Sequence, residues 1–365
     1  MQKIFKNIYK DKKILITGHT GFKGTWLTLW LKELEAEILG YSLEPHTNPS
    51  MFNLCNTKDN IRNIIGDIRD SENLEKVMLD FKPDIIFHLA AQPLVRLSYN
   101  EPKLTYETNV IGTLNVYEAA KKCNSVQAIV CITTDKCYEN KEWSYGYREN
   151  DSMGGYDPYS SSKGCVELLT ASYRNSFFDN LGIQIASARA GNVIGGGDWA
   201  DDRLIPDLVK SVAKDEALII RNPIATRPWQ HVLEPLSGYL WLGSLLLQHK
   251  EEFACGWNFG PNNNDILSVE EILNLSLKCW EKGNYCIDNS AHPHEANLLK
   301  LDISKAILEL KWKPVYNVTV AVEKTIEWYK KYYDNKYIDM REFTLSQIKE
   351  YVEEAKKRNI LWSVV

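Results

Sequence analysis

Short apolar runs alternate with amphipathic stretches from Lys12 onward. Lys13–Thr17, Glu37–Ser42, Asn60–Ile65, Asp84–Leu89, Gln127–Ile132 and Ile183–Arg189 read as strands. Phe22–Leu34, Ser71–Phe81, Leu104–Cys123 and Ser160–Phe178 carry helical spacing between them. Several strands are almost continuously apolar, Ile85–Ala90 (IIFHLA) most plainly, as expected where helices cover both faces. The alternation predicts an α/β fold, a Rossmann-type doubly wound parallel sheet with right-handed crossovers.

The rhythm changes after Arg189. Glycines, prolines and tryptophans gather in Gly191–Asp202 and Arg221–Trp229, which suggests loops over a cleft. Helical stretches follow at Val269–Lys282 and Ile303–Leu310, and another at Leu345–Lys357, where Thr344 and Gln347 have capping-box spacing. The expected division is a Rossmann domain over 12–190, to which 228–260 returns, a mainly substrate-binding lid over 191–335, and a helical extension over 336–365. The apolar window Leu236–Leu247 is interrupted by Ser237, Gly238 and Ser244 and is too short for a span of roughly 20 residues. It reads as a buried helix.

Composition narrows the function classes. A net charge of −5 over 365 residues, without a basic run, argues against a nucleic-acid partner or a membrane-surface role. The eight cysteines form no C-x-x-C pair and the start has no signal-peptide core, so free thiols in a reducing cytoplasm are expected. His292 and His294 have only Glu295 beside them, which is no ligand set, and no metal is expected.

The first strand runs into Thr17-Gly18-His19-Thr20-Gly21-Phe22-Lys23-Gly24. Glycines at this spacing permit a tight turn, close backbone approach to a pyrophosphate and close helix packing, while the helix N-terminus offers free N–H groups. A glycine-rich turn without a ligand is the plainer alternative. Glu44 follows the second strand as a ribose-binding acid, and no arginine follows at once to welcome a 2′-phosphate, which favours NAD over NADP. Asp67, beside Ile68, either reaches the adenine edge or caps the helix near Ser71.

Tyr159-Ser160-Ser161-Ser162-Lys163 puts a tyrosine and a lysine on one helical face. An ammonium beside a phenol stabilises phenolate and suits it to act as a base. Thr133-Thr134-Asp135-Lys136 ends a strand, where α/β active sites form.

TGHTGFKG, HLAAQ (His88–Gln92), TNVIGT (Thr108–Thr113), TTDK and Y-x-x-x-K together resemble the extended short-chain dehydrogenase/reductases that modify nucleotide sugars, over roughly Lys12–Tyr329. Thr134-Asp135 resembles the dehydratases of that group. Lys136, with AAQPLVRLSY (Ala90–Tyr99), RAGNVIGGGDW (Arg189–Trp199), RLIPD (Arg203–Asp207), RPWQHVLEPL (Arg227–Leu236) and HEANLLKLD (His294–Asp302), is similar to the CDP-glucose 4,6-dehydratases among them.

That resemblance implies an internal redox cycle with NAD as a bound catalyst: oxidation at C4, loss of water across C5 and C6, and hydride return to C6. It implies that Tyr159 is the base at O4, Thr134 its hydrogen-bonding neighbour, and Lys163 the group that orients ribose and tunes Tyr159. Asp135 would protonate the departing C6 oxygen and Lys136 would take the C5 proton, with a proton shared between them; a solvated loop charge is the plainer reading of Lys136. Gly18, Thr20, Gly21, Phe22, Lys23, Gly24, Asp67, Ile68, Leu89, Ala90, Ala91 and Asn109 would hold the cofactor, Asn109 also bracing the site helix through a backbone contact. The nucleotide-sugar substrate needs local cations, and Arg96, Arg189, Arg203, Arg227 and His231 are candidates. Arg227 is the first choice for the diphosphate, and Arg189 has an internal carboxylate pair as its alternative. Gln92, Asn192 and His294 complete the substrate set, with Asn297 a further nucleotide contact and Trp199 and Trp229 as walls.

A nucleotide-sugar 4-epimerase or reductase would share the glycine loop and Y-x-x-x-K but needs no Asp135-Lys136 pair. A silent dinucleotide-binding regulator would need neither Thr134 nor Tyr159. The family resemblance also implies a homodimer, or a tetramer, assembled through Leu104–Cys123 and Ser160–Phe178.

Overall fold

The structure is a computed structural model and describes residues 4–262, 265–288, 298–334 and 338–365. Seven strands form one parallel sheet: β1 (Lys13–Thr17), β2 (Glu37–Ser42), β3 (Arg62–Ile65), β4 (Ile85–His88), β5 (Ala128–Ile132), β6 (Gln184–Ala190) and β7 (Gly256–Phe259). Their order across the sheet is β7-β6-β5-β4-β1-β2-β3. The order reverses between β1 and β4, whose C-terminal ends therefore open a crevice suited to a ligand.

Successive strand residues supply opposite cores. Ile14, Ile16, Ile85, Phe87 and Val130 face one side, and Leu15, Ile86, Ile129 and Cys131 the other. This period of two explains why the runs are apolar throughout. Helices α1 (Phe22–Glu33), α2 (Ser71–Phe81), α3 (Gly112–Lys122) and α4 (Pro158–Tyr173) are the crossovers. Within β4, His88 is buried opposite Thr17 and uses both ring nitrogens, Nδ1 2.7 Å from Thr17 Oγ1 and Nε2 2.8 Å from Thr113 Oγ1. Burial pushes its pKa down to about 3, so it bonds as a neutral ring.

Beyond β6 come α5 (Leu204–Lys214), α6 (Leu233–Leu246), α7 (Val269–Trp280), α8 (Val318–Asp334) and α9 (Met340–Lys357). Helix α6 is buried along its whole length against the sheet. Among the described residues, no helix is long and apolar enough to cross a membrane. Helices α5 and α8 are additions to the predicted set, and α9 starts earlier than its apolar spacing suggests. Asp339 caps α9 by accepting from the N–H groups of Arg341 (2.9 Å) and Glu342 (3.2 Å). Thr344 and Gln347 lie inside the helix and donate to the carbonyls of Met340 and Lys324, so the capping box expected of them does not form. The helix near Ser71 is likewise capped by Asp70, not Asp67.

Candidate active site

The glycine loop is shaped by contacts that admit no side chain. Gly18 has φ +78°, and a Cβ there would lie 2.7 Å from the Ala90 nitrogen. A Cβ on Gly24 would meet the Gly18 carbonyl oxygen at 2.1 Å, so α1 rests directly on the turn. Gly21 is the N-cap of α1 and brings no side chain to its free N–H groups. The loop thus presents bare backbone and a positive helix end at the crevice beside β4, and it fits a dinucleotide pyrophosphate.

Across the crevice, β5 leads into Thr133 and Thr134, and a short 3₁₀ turn carries Asp135, Lys136 and Cys137. Pro158 opens α4 and Asp157 caps it, accepting from the Ser160 N–H (2.9 Å) and hydroxyl (2.6 Å). This start places Tyr159 and Lys163 on the buried side of the first turns. Lys163 Nζ lies 3.4 Å from the Ile132 carbonyl, which ties α4 to β5.

Burial pushes the Tyr159 phenol up to about 12, and the nearby Thr134 hydroxyl pulls in the other direction. Burial pushes the Lys163 ammonium down as well. Asp135 is 1% exposed. One carboxylate oxygen accepts from Thr134 Oγ1 at 2.9 Å, and the other has no hydrogen-bond partner. A Cβ at Gly191 would sit 1.8 Å from that second oxygen, so glycine at 191 makes room for the carboxylate. Among the described residues, no carboxylate lies within ion-pair distance of Lys136. The proton sharing expected between Asp135 and Lys136 is therefore replaced by a bond from Thr134 to Asp135.

Tyr159, Thr134, Asp135 and Lys136 line one cavity of about 660 Å³. Phe22 and Lys23 of the glycine loop reach its wall, as do Arg96, Asn192, Arg203, Arg227 and Trp229. Burial first, then Arg203 and Lys163, push the Lys23 ammonium down to about 8. Arg96 pairs with Asp202 at 3.0 Å and Arg203 with Asp198 at 2.7 Å. Arg221 and Asn222 also line the cavity. Their segment was legible as a loop over a cleft, but nothing in its spacing singles out those two side chains.

Six residues of the expected set meet protein partners. Gln92 is buried and spends its amide on Leu94 and Thr105, holding its own loop. Asn109 accepts from the Gln92 N–H at 2.7 Å and donates to the Gln92 carbonyl and to Ser162 Oγ at 2.8 Å. It joins the β4 loop to α4 through the Ser162 side chain, and its amide is occupied by protein. His231 is wholly buried between Trp26 and Tyr316, away from the cavity. Arg189 pairs with Glu167 at 2.8 Å inside the fold, as its alternative reading has it. Asp67 is paired with Arg69 at 2.6 Å. Trp199 packs among Trp328, Tyr329 and Tyr332. His294 and Asn297 lie outside the described residues.

The profile of the GDP-mannose 4,6 dehydratase family matches residues 15–325. A CDP-glucose 4,6-dehydratase of Salmonella typhimurium (strain LT2) is 50% identical over 90% of this chain and 93% of its own length. A CDP-paratose 2-epimerase of Salmonella typhi is 29% identical over 87% of this chain and 98% of its own. Among solved structures, a dTDP-glucose 4,6-dehydratase from Streptomyces venezuelae with NAD and TYD bound superposes with a TM-score of 0.74 at 22% identity, covering 87% of this chain and 97% of the other. Its counterpart from Bacillus anthracis in complex with NAD gives 0.72 at 23% identity, covering 89% and 98%.

Proposed function

From the chain's membership of the GDP-mannose 4,6-dehydratase family, within the extended short-chain dehydrogenase/reductases, we propose that it is an NAD-dependent sugar-nucleotide 4,6-dehydratase converting CDP-D-glucose to CDP-4-dehydro-6-deoxy-D-glucose. The observation that carries the reaction class is the Asp135 carboxylate. It is buried with one oxygen unpartnered, on the wall of the cavity that Tyr159 and Lys136 share. An epimerase would use Tyr159 and Lys163 equally well, but has no need of an acid at C6. The choice of CDP rests on the relative that is 50% identical over 90% of the chain.

In this reading Tyr159 takes the proton of the sugar O4, Thr134 hydrogen-bonds that oxygen, and Lys163 orients the cofactor ribose. Asp135 protonates the C6 oxygen as it leaves as water. Lys136 removes the C5 proton and, after exchange with solvent, delivers a proton back to C5. The glycine loop at Gly18, Gly21 and Gly24 would hold a bound NAD, which would supply hydride chemistry for C4 and C6 of the sugar. Arg227 holds the diphosphate with Arg96, Arg203 and Asn192 around it, and residues 191–335 serve mainly as the substrate lid.

We read the assembly as a homodimer through the helices around α3 and α4, which leave Ile111, Leu168, Phe177 and Leu181 exposed. A cytoplasmic location suits eight cysteines that are all free.

Incubation with CDP-, UDP-, dTDP- and GDP-glucose separately in deuterated water, followed by mass spectrometry, tests the function. Loss of one water with deuterium uptake from CDP-glucose alone is the expected result. The same change with another nucleotide would retire CDP-glucose, and no change with any of them would retire dehydration.

A further inference from the structure

Asp135 and Gly191 lie just past the ends of neighbouring strands. Ile132 of β5 pairs with Ala188 of β6, and the Thr133 N–H donates to the Ala188 carbonyl at 2.9 Å. Followed in step beyond the sheet, the two segments bring the Asp135 side chain onto the Gly191 backbone. A Cβ at 191 would lie 1.8 Å from one carboxylate oxygen, 2.3 Å from the carboxyl carbon and 2.7 Å from the other oxygen. These are its nearest neighbours, so the carboxyl group fills the space that a side chain would take. The φ of Gly191 is outside the left-handed region, so the demand for glycine comes from this packing and not from backbone strain.

The Gly191 backbone is pinned. Gln230 is buried and donates through Nε2 to the Gly191 carbonyl at 3.1 Å and to the Phe259 carbonyl of β7 at 3.0 Å. Its own N–H donates to the Asn192 carbonyl at 3.3 Å. Asp135, by contrast, rides on a short 3₁₀ turn. Thr134 Oγ1 holds one of its oxygens at 2.9 Å, and the other has no hydrogen-bond partner. A side chain at 191 would therefore displace the carboxyl group and leave the end of β6 where it is.

We propose that Gly191 is the positioning residue for the acid of the dehydration: its missing side chain lets the Asp135 carboxyl group lie against the end of β6, on the wall of the cavity. The inference rests on the dehydratase reading above. In the elimination step the C5–H bond breaks as Lys136 takes the proton, and its electron pair forms the C5–C6 double bond. The C6–O bond breaks as the oxygen takes the Asp135 proton and leaves as water. Oxidation at C4 comes earlier and uses Tyr159 and Thr134. A residue that acts only by orienting Asp135 should therefore separate the two steps.

The test compares the NAD-loaded wild type with its Gly191→Ala variant. Wild-type turnover is measured first. If it dehydrates none of the four nucleotide sugars, the dehydratase reading falls and the positioning role with it. With dehydration present, rapid mixing with the sugar that wild type converts reads C4 oxidation as reduced-nicotinamide absorbance, and mass spectrometry reads the loss of water. Gly191→Ala is expected to lose about 100-fold in turnover, as for an acid taken out of reach. Growth of the absorbance should stay within about threefold of wild type, because no contact at O4 is touched, and the absorbance should then persist. Turnover at the wild-type rate, or an equal fall in both steps, would overturn the proposal.

Denaturant titration without substrate tests the packing separately. Gly191→Ala should lower the midpoint in the wild-type background but hardly at all in the Asp135→Ala background, where the added methyl enters vacated space. If Gly191→Ala alone fails to fold, recovery of folding in the double variant is the expected result. An equal loss in both backgrounds, or a double variant that does not fold either, would put the clash elsewhere and overturn the proposal.

Discussion

Thr133 and Thr134 are neighbours at the end of β5, yet they open onto opposite kinds of polar chemistry. Thr133 donates to Glu167 of α4, and Glu167 also accepts from Ser187 at 2.6 Å and Arg189 at 2.8 Å. Arg189 goes on to Tyr138 at 2.6 Å, and Tyr138 to Asn258 at 2.7 Å. Burial pushes the Glu167 carboxyl up, but Arg189 and the two hydroxyls hold it below the ordinary carboxylate range. Thr134 instead donates to Asp135, whose second oxygen has no partner. Both carboxylates are buried and both start from a threonine hydroxyl. Where both carboxylate oxygens are matched, the network fixes the positions of β5, β6 and α4; where one oxygen is left over, the group keeps capacity for a ligand.

The largest expected effect separates the two sides. Asp135→Asn should lower turnover by about a thousandfold, within the range for removing a general acid. It should move the denaturant midpoint little, by no more than about 1 kcal/mol of unfolding free energy, since only one hydrogen bond is disturbed. A joint collapse of turnover and stability would make Asp135 structural and dissolve the contrast. Glu167→Ala should do the reverse. It strands the Arg189 guanidinium inside the fold, a loss of about 3–5 kcal/mol for breaking a buried pair. Guanidinium titration reads that loss directly, and an unchanged midpoint would show that the network under the site carries no load.

The sheet was legible because its strands need continuous apolar runs, and β1 and β2 begin and end where those runs do. The glycine loop, the Thr134-Asp135-Lys136 turn and the Tyr159–Lys163 helix were legible as separate chemical patterns, and the fold brings them to one crevice. Gln92, Asn109 and His231 were not, for a shared reason. A motif shows that a polar group is needed but not whether protein or ligand satisfies it, and these three turn inward. Helix α8 went unread although Val318, Ala321, Val322, Thr325, Ile326 and Tyr329 bury one helical face. The α9 start was misplaced because a threonine–glutamine spacing imitates a cap, and only the backbone shows that Asp339 accepts the first N–H groups.

Glu234 gives the comparison its smallest but sharpest test, because it reverses the sign of Glu167. It lies on α6, wholly buried, and accepts from the N–H groups of Val315 (2.9 Å) and Tyr316 (2.7 Å) and from the Tyr351 hydroxyl (2.7 Å). No cation pairs with it among the described residues, and burial outweighs these bonds, pushing its pKa from 4.5 up to about 7. A carboxyl raised by folding stabilises fully below its unfolded pKa, and that contribution drains away as pH rises through the folded value. Glu167, lowered by folding, contributes above its unfolded pKa and loses its share as pH falls. Unfolding free energy should therefore decline between pH 4.5 and about 7 by on the order of 3 kcal/mol from Glu234. Denaturant titrations across that window should show a flatter slope in Glu234→Gln, which cannot ionise. Equal slopes in the two proteins would mean that Glu234 is charged in the fold, and that burial without a cation does not govern carboxylates in this core.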